Sequence, residues 1–318
     1  MAHMIDTTTG RAAMAYIGAA PWHNLGQQLT PGASIDEWTR EAGLAYTVLE
    51  SPVLYRTAAA SEPELFKGRK VLHRSDTGGA LAVVSDSYHV VQPAEVMGFF
   101  EKLVQIGGFE LETAGVLSHG RRVWGLARVN DGAEVLGGDV VRPYVLLGTS
   151  YDGTMATVAK FTSVRVVCHN TITAALGSGE AVRVLHSERF DADRVRQDLG
   201  IVSGAWERFL IQSRQLAGVS MSSTEADQFV QELLKPYHTG SIDINESRAY
   251  KRVMDLFVNR KAIGSDIPGV SGTRWGMLNA VTELVDHERG RSANTRMESA
   301  WFGTGAALKN RALELLAA

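Results

Sequence analysis

Residues 109–129, FELETAGVLSHGRRVWGLARV, and residues 142–167, RPYVLLGTSYDGTMATVAKFTSVRVV, decide the fold. Each holds two β-rich runs separated by a turn signal, Ser118-His119-Gly120 in the first and Tyr151-Asp152-Gly153 in the second. β-Branched and aromatic residues flank turn residues that tolerate a left-handed backbone, which is the pattern of an antiparallel hairpin. Two consecutive hairpins are therefore expected. A helix near Asn170–Leu176 follows, capped by Asn170 or Thr171 and stopped by Gly177.

Working outward toward the N-terminus, Pro93 opens a helix with Val96, Phe99, Phe100 and Leu103 on one face, closed by Gly107-Gly108. Before it, Tyr46–Leu49, Val53–Arg56, Lys70–His73 and Ala80–Ser85 read as short strands punctuated by Pro and Gly. Ser34 and Glu37 have capping-box spacing and open a short helix that ends near Gly43. The first thirty residues, with Pro21-Trp22-His23-Asn24-Leu25-Gly26, lack periodicity and read as an irregular arm carrying a docked Trp22.

Beyond Asp191 the apolar period becomes helical: Leu199, Val202, Trp206, Phe209 and Leu210, then Phe229, Leu233 and Leu234. Ser247–Arg260, Arg274–Glu288 and Met297–Leu316 are further helical segments. The expected class is α+β, with antiparallel β-hairpins and helices over 1–190 and a helical region over 191–318, either separate or packed on the first.

Composition narrows the function. Hydrophobic content of 45% and charged content of 21% are globular values. No apolar run approaches membrane-spanning length and no secretory signal is visible, so a protein of the host cell cytoplasm with no membrane partner is expected. Cys168 is the single cysteine, which excludes an intramolecular disulfide and a thiolate zinc site within one chain. Net charge is −3, against indiscriminate coating of nucleic acid. The charge is uneven, however: residues 1–118 hold 8 Lys/Arg against 13 Asp/Glu, and residues 248–309 hold 10 against 6.

Three segments carry candidate chemistry. Cys168-His169 suggests a nucleophile, but neighbours on a strand point to opposite faces, and a free Cys is most often a buried hydrophobe. In the hairpins, Arg122, Trp124, Leu126 and Arg128 share one strand face. Phe161, Ser163 and Arg165 share a face on the other hairpin, with Lys160 and Thr162 opposite. A sheet bearing cations and rings can hold single strands, the bases stacking and the cations meeting phosphates; the alternative is that the rings are core. Glu283 and His287 lie four apart beside Asp286, which falls short of a metal motif. Gly303-Thr304-Gly305 precedes a helix with Lys309, a short match to a phosphate cradle. Phosphate-loop, nucleophile-elbow and dinucleotide fingerprints are missing from the sequence, so no cofactor is implied.

Pro21-Trp22-His23-x-Leu25-Gly26, Val164-Arg165-Val166-Val167-Cys168-x-Asn170-Thr171, and Trp275-Gly276-x-Leu278-Asn279-Ala280-Val281-Thr282-Glu283 with Asp286-His287 resemble the phage- and plasmid-borne family named only as a domain of unknown function, number 932. Phe302-Gly303-x-Gly305 and Lys309 fit it too. The resemblance runs nearly end to end and implies a mobile-element protein. The strand order over 109–176 is also similar to the β-β-β-α core of Rad52-like single-strand annealing proteins, which implies an oligomeric ring holding single-stranded DNA.

These readings converge on a non-enzymatic single-stranded DNA-binding or annealing protein, a homo-oligomer active in recombination. Arg121, Arg122, Arg128, Lys160 and Arg165 are the expected phosphate contacts, and Trp124 and Phe161 the stacking surface. The alternatives are a host-interaction or anti-defence protein, and a metal-dependent nucleic-acid enzyme built on His169, Glu283, Asp286 and His287.

Overall fold

Consecutive apolar residues such as Tyr144-Val145-Leu146-Leu147 commit this stretch to a sheet that needs cover on both faces. The computed structural model, which describes residues 5–18, 25–58, 62–165, 171–172, 181–199, 205–238, 243–290 and 293–318, supplies that cover from two sides. The chain runs β1 (Met14–Ile17), β2 (Gln27–Leu29), α1 (Ile35–Glu41), β3 (Val48–Tyr55), β4 (Glu64–Arg74), β5 (Ala80–Ser85) and α2 (Pro93–Ile106). Next come β6 (Glu110–Leu117), β7 (Arg122–Arg128), β8 (Ala133–Leu136), β9 (Asp139–Ser150), β10 (Thr157–Arg165), β11 (Thr171–Ile172) and β12 (Ala181–Val184). From Ala192 the described elements are helical: α3 (Ala192–Asp198), α4 (Ala205–Gly218), α5 (Ser223–Leu234), α6 (Arg248–Val258), α7 (Arg274–Glu283), α8 (Ala293–Phe302) and α9 (Thr304–Ala317). The protein is thus mixed α+β.

Both expected hairpins form. β6 and β7 pair antiparallel from Glu110↔Arg128 to Leu117↔Arg122, and β9 and β10 from Gly148↔Val158 to Val141↔Arg165. β7 joins β9, giving the order β11-β10-β9-β7-β6-β1-β2, with β8 paired to β9 and β12 to β10. A second sheet has the order β3-β4-β5. The helix starts at Ser34 and Pro93 also hold: the Ser34 hydroxyl accepts from the Glu37 amide at 3.2 Å, and Gln92 and Glu95 form a reciprocal cap ahead of Pro93.

Several boundaries differ from expectation. Thr171 and Ile172 do not start a helix; their β-branched side chains suit the strand they form beside Val164 and Ser163 of β10. Within the arm expected to be irregular, Met14–Ile17 pairs with β6 and Gln27–Leu29 runs parallel beside it. These strands span a few residues each and are too short to show a period. Tyr46–Leu49 and Val53–Arg56 merge into one strand because a register shift between Pro52 and Leu54 absorbs the proline. Residues 297–316 form two helices, broken at Gly303. Pro21–Asn24, Val166–Asn170 and Thr173–Gly177 lie outside the described residues, and so do the readings made there of Trp22, Cys168 and His169.

Two glycines show how closely the layers sit. On one face of the sheet, a Cβ at Gly125 would collide with the ring of Phe100 from α2. On the other, a Cβ at Gly148 would sit 2.6 Å from the ring of Phe302 at the end of α8. The first face makes a core of Phe99, Phe100, Val116, Val145, Leu147 and Ala159. The second buries Trp124, Leu126, Tyr144 and Leu146 under Trp301 and Phe302. The helical region has its own core around Trp275, whose indole N–H donates to Asp139 Oδ2 at the start of β9, at 2.7 Å. The helical region therefore packs on the sheet.

A candidate nucleic-acid interface

The registers divide the sequence-predicted binding residues between opposite faces. Trp124 pairs with Gly148, Arg128 with Tyr144 and Lys160 with Leu146, which puts these side chains and Arg122 on the face covered by α8. Phe161 pairs with Val145 and packs toward the α2 side. Arg165 is in register with Val141, and its side chain lies outside the described ones.

Cover determines what these groups can do. Trp124 is 1% exposed and packs edge-on against Trp301 with ring centroids 4.9 Å apart, so its indole is core. Lys160 is buried, donates to the Trp301 carbonyl oxygen and lies 5.7 Å from the centre of the Phe302 ring. Burial, aided by Lys309 and Arg183 and opposed by Asp286, pushes its ammonium down to about 7. Arg128 is engaged by Glu110, Glu112 and Asp131. Arg122 donates to Thr154 Oγ1 at 2.7 Å, and Arg121, at the turn before β7, is exposed. Among the described side chains of the set, Arg121 is exposed, Arg122 and Arg128 are half-buried, and Arg128 is held by carboxylates.

Glu283, Asp286 and Lys309 of the other constellations are engaged within the fold. Glu283 accepts from the Ile263 amide at 2.8 Å, and burial raises its carboxyl above the usual range. Asp286 pairs at 2.7 Å with Lys309, which is buried and whose ammonium is pushed down by that burial. Lys309 thus faces inward from α9 and not toward a phosphate cradle at Gly303–Gly305, where a Cβ on Gly305 would strike Val285 and the Ser299 carbonyl. Among the described residues no group of three or more His, Cys, Asp and Glu is placed to hold a metal.

The β3–β4 hairpin presents the chemistry expected of the buried sheet. β5 pairs with β4 only from Arg69 to His73, and beyond it Leu54↔Leu65 and Tyr55↔Glu64 continue as a two-stranded arm. Among the described residues no third strand lies beside the arm, and Leu54, Tyr55 and residues 64–67 are all exposed, so both of its faces meet solvent. Tyr55 is 43% and Phe66 49% exposed, their rings edge-to-face at 6.2 Å. The Tyr55 hydroxyl donates to Glu64 at 2.7 Å, which fixes the ring. Leu54 and Leu65 are exposed beside them. Arg56, Lys67 and Arg69 are exposed, and among the described residues their side chains have no carboxylate partner. Sequence reading missed this surface because Glu64–Lys67 alternates no apolar face and reads as loop. The usable signal was Tyr55-Arg56 and Leu65-Phe66-Lys67 standing without a neighbouring apolar run to bury them.

Fold and site together define a mixed α+β protein with a mainly antiparallel sheet between helices and, outside it, an arm that exposes aromatic rings and cations. Residues 80–301 match the family described as Domain of unknown function (DUF932), and the chain belongs to that family. The matched stretch begins at β5 and ends in α8, taking in the hairpins and leaving the arm outside. No curated protein and no solved structure matches the chain. No helix among the described residues is long and apolar enough to cross a membrane.

Proposed function

We propose that the protein binds single-stranded DNA, with the β3–β4 arm as its primary contact and the Arg121–Arg122 edge as a secondary one. The observation that carries this reading is the exposure of two rings in contact, Tyr55 and Phe66, on an arm with no core beneath it that also exposes Arg56, Lys67 and Arg69. Unpaired bases offer π-faces to such rings and phosphates to such cations, without sequence preference. Exposed apolar surface of this kind marks an interaction site. Annealing and recombination on a mobile element are narrower forms of the same reading; they require a homo-oligomer, which sedimentation reads directly.

Fluorescence polarisation with labelled single- and double-stranded DNA at low and moderate salt tests the proposal. Single strands bind more tightly, and the affinity falls with salt as counterions are released. Tyr55→Ala with Phe66→Ala weakens binding by roughly 1–3 kcal/mol for each stacked base, whereas Arg128→Gln leaves it unchanged. Absence of binding at low salt, or full binding by the arm variant, overturns the reading. A second reading, association with a host protein, is favoured by exposed Leu54 and Leu65. It predicts that Leu54→Ser with Leu65→Ser abolishes co-purification of a host partner.

A further inference from the structure

An open groove lies between the second sheet and the β9–β10 turn. Val83 of β5 and Leu185 after β12 face it as exposed apolar walls. Its end is built on the ring of His186, stacked on Tyr88 with centroids 4.3 Å apart and planes 15° from parallel. The ring nitrogens of His186 lie 3.0 Å from the His89 carbonyl and 3.1 Å from that of Met155, which locks this wall in place. Arg69, opposite Ser85 in the β4–β5 register, also lines the groove, which therefore adjoins the base of the arm. Asp152 is a further lining residue. Its Oδ1 accepts from the Thr154 amide and hydroxyl, and among the described residues no group donates to its Oδ2.

We infer that this groove holds one nucleotide of the bound strand, its base between Val83 and Leu185, its phosphate at Arg69 and an exocyclic amino group donating to Asp152. The inference rests on the single-stranded DNA reading and adds a base preference to it. The discrimination lies at ring position 4: cytosine places its N4 amino group there and donates to the carboxylate, whereas uracil places a carbonyl there, acceptor to acceptor, and its own donor, N3–H, lies one ring position away. The arm alone carries no such preference, because stacking and phosphate contacts are indifferent to base identity.

The test compares oligo(dC) with oligo(dU) of equal length on the full chain, with dCMP titrated separately. The wild type prefers oligo(dC) by about tenfold, the discrimination one good polar contact supplies. Asp152→Asn keeps the acceptor that caps Thr154 and puts an amide donor in the groove, so it reverses the preference toward oligo(dU). Leu185→Glu removes the preference and leaves the arm's common affinity. Melting temperatures of the two variants confirm that they fold. Equal binding of both oligomers by the wild type, or a preference unchanged in Asp152→Asn, overturns the groove and leaves the strand-binding reading standing. If neither oligomer binds, the strand-binding reading fails, and dCMP decides the groove alone. Saturable dCMP binding that is abolished in Asp152→Asn retains it as a mononucleotide site, and no dCMP binding removes it.

Discussion

The β7–β9–β10 sheet and the β3–β4 arm are made from the same residue types, Arg, Lys and aromatic rings, and they put them to opposite uses. In the sheet, Trp124 lies beneath Trp301, Lys160 beneath Phe302, and Arg128 among the carboxylates of Glu110, Glu112 and Asp131. On the arm, Tyr55, Phe66, Arg56, Lys67 and Arg69 have no layer above them. The chemistry of a strand face is thus set less by its residues than by what the rest of the chain lays across it. Here Phe100 and Phe302 cover the two faces, and both reach the sheet only because Gly125 and Gly148 lack a Cβ.

The largest test of that difference is truncation of one ring in each region. Trp124→Ala empties a buried indole site and costs about 3–5 kcal/mol of stability. Phe66→Ala, which removes a half-exposed ring, changes stability by roughly 0.5 kcal/mol or less. Denaturant titration of the two variants reads both values, and similar losses would erase the distinction between core and arm.

The buried lysine gives the next largest effect, and it depends on pH. Folded Lys160 loses its proton near pH 7, against 10.5 for its ordinary value. Between these values the unfolded chain binds more protons than the native one, so this group adds stability as pH rises through the window. Relative to Lys160→Met, the wild type therefore gains about 2 kcal/mol between pH 7 and pH 9. A flat difference would mean that the amine is solvated and the sheet face open. A smaller effect belongs to Arg128→Met, which breaks a partly exposed set of ion pairs and costs about 1 kcal/mol, less at high salt.

Legibility in the sequence followed the same division. The hairpins at 109–129 and 142–165 were readable because turn signals and alternation agree, and the starts of α1 and α2 because Ser34 and Pro93 have local physical roles. The cover was not readable. Nothing in the alternation of Arg122, Trp124, Leu126 and Arg128 says that Trp301, far along the chain, will lie on Trp124. A basic, aromatic strand face and an amphipathic core strand have the same period. The arm escaped notice for the converse reason: a strand with no buried face has no apolar period to detect, and Glu64–Lys67 is held in register by Leu54 and Tyr55 across the hairpin.

The smallest stability effect is also the sharpest functional one. Arg56→Gln, Lys67→Gln and Arg69→Gln together remove three exposed cations that have no carboxylate partners among the described residues. Stability should move by no more than about 0.5 kcal/mol, as for surface substitutions that break no network. If the arm carries single strands, the slope of log affinity against log salt should fall by roughly 0.7 for each phosphate no longer neutralised, about 2 in all. The two readouts separate the causes. A shallower slope with unchanged stability assigns the phosphate contacts to the arm. An unchanged slope sends them back to the Arg121–Arg122 edge, where Arg122 already donates to Thr154 and has less to give. A large stability loss would show that these cations hold the arm itself together, and the contrast with the covered sheet would then be one of degree.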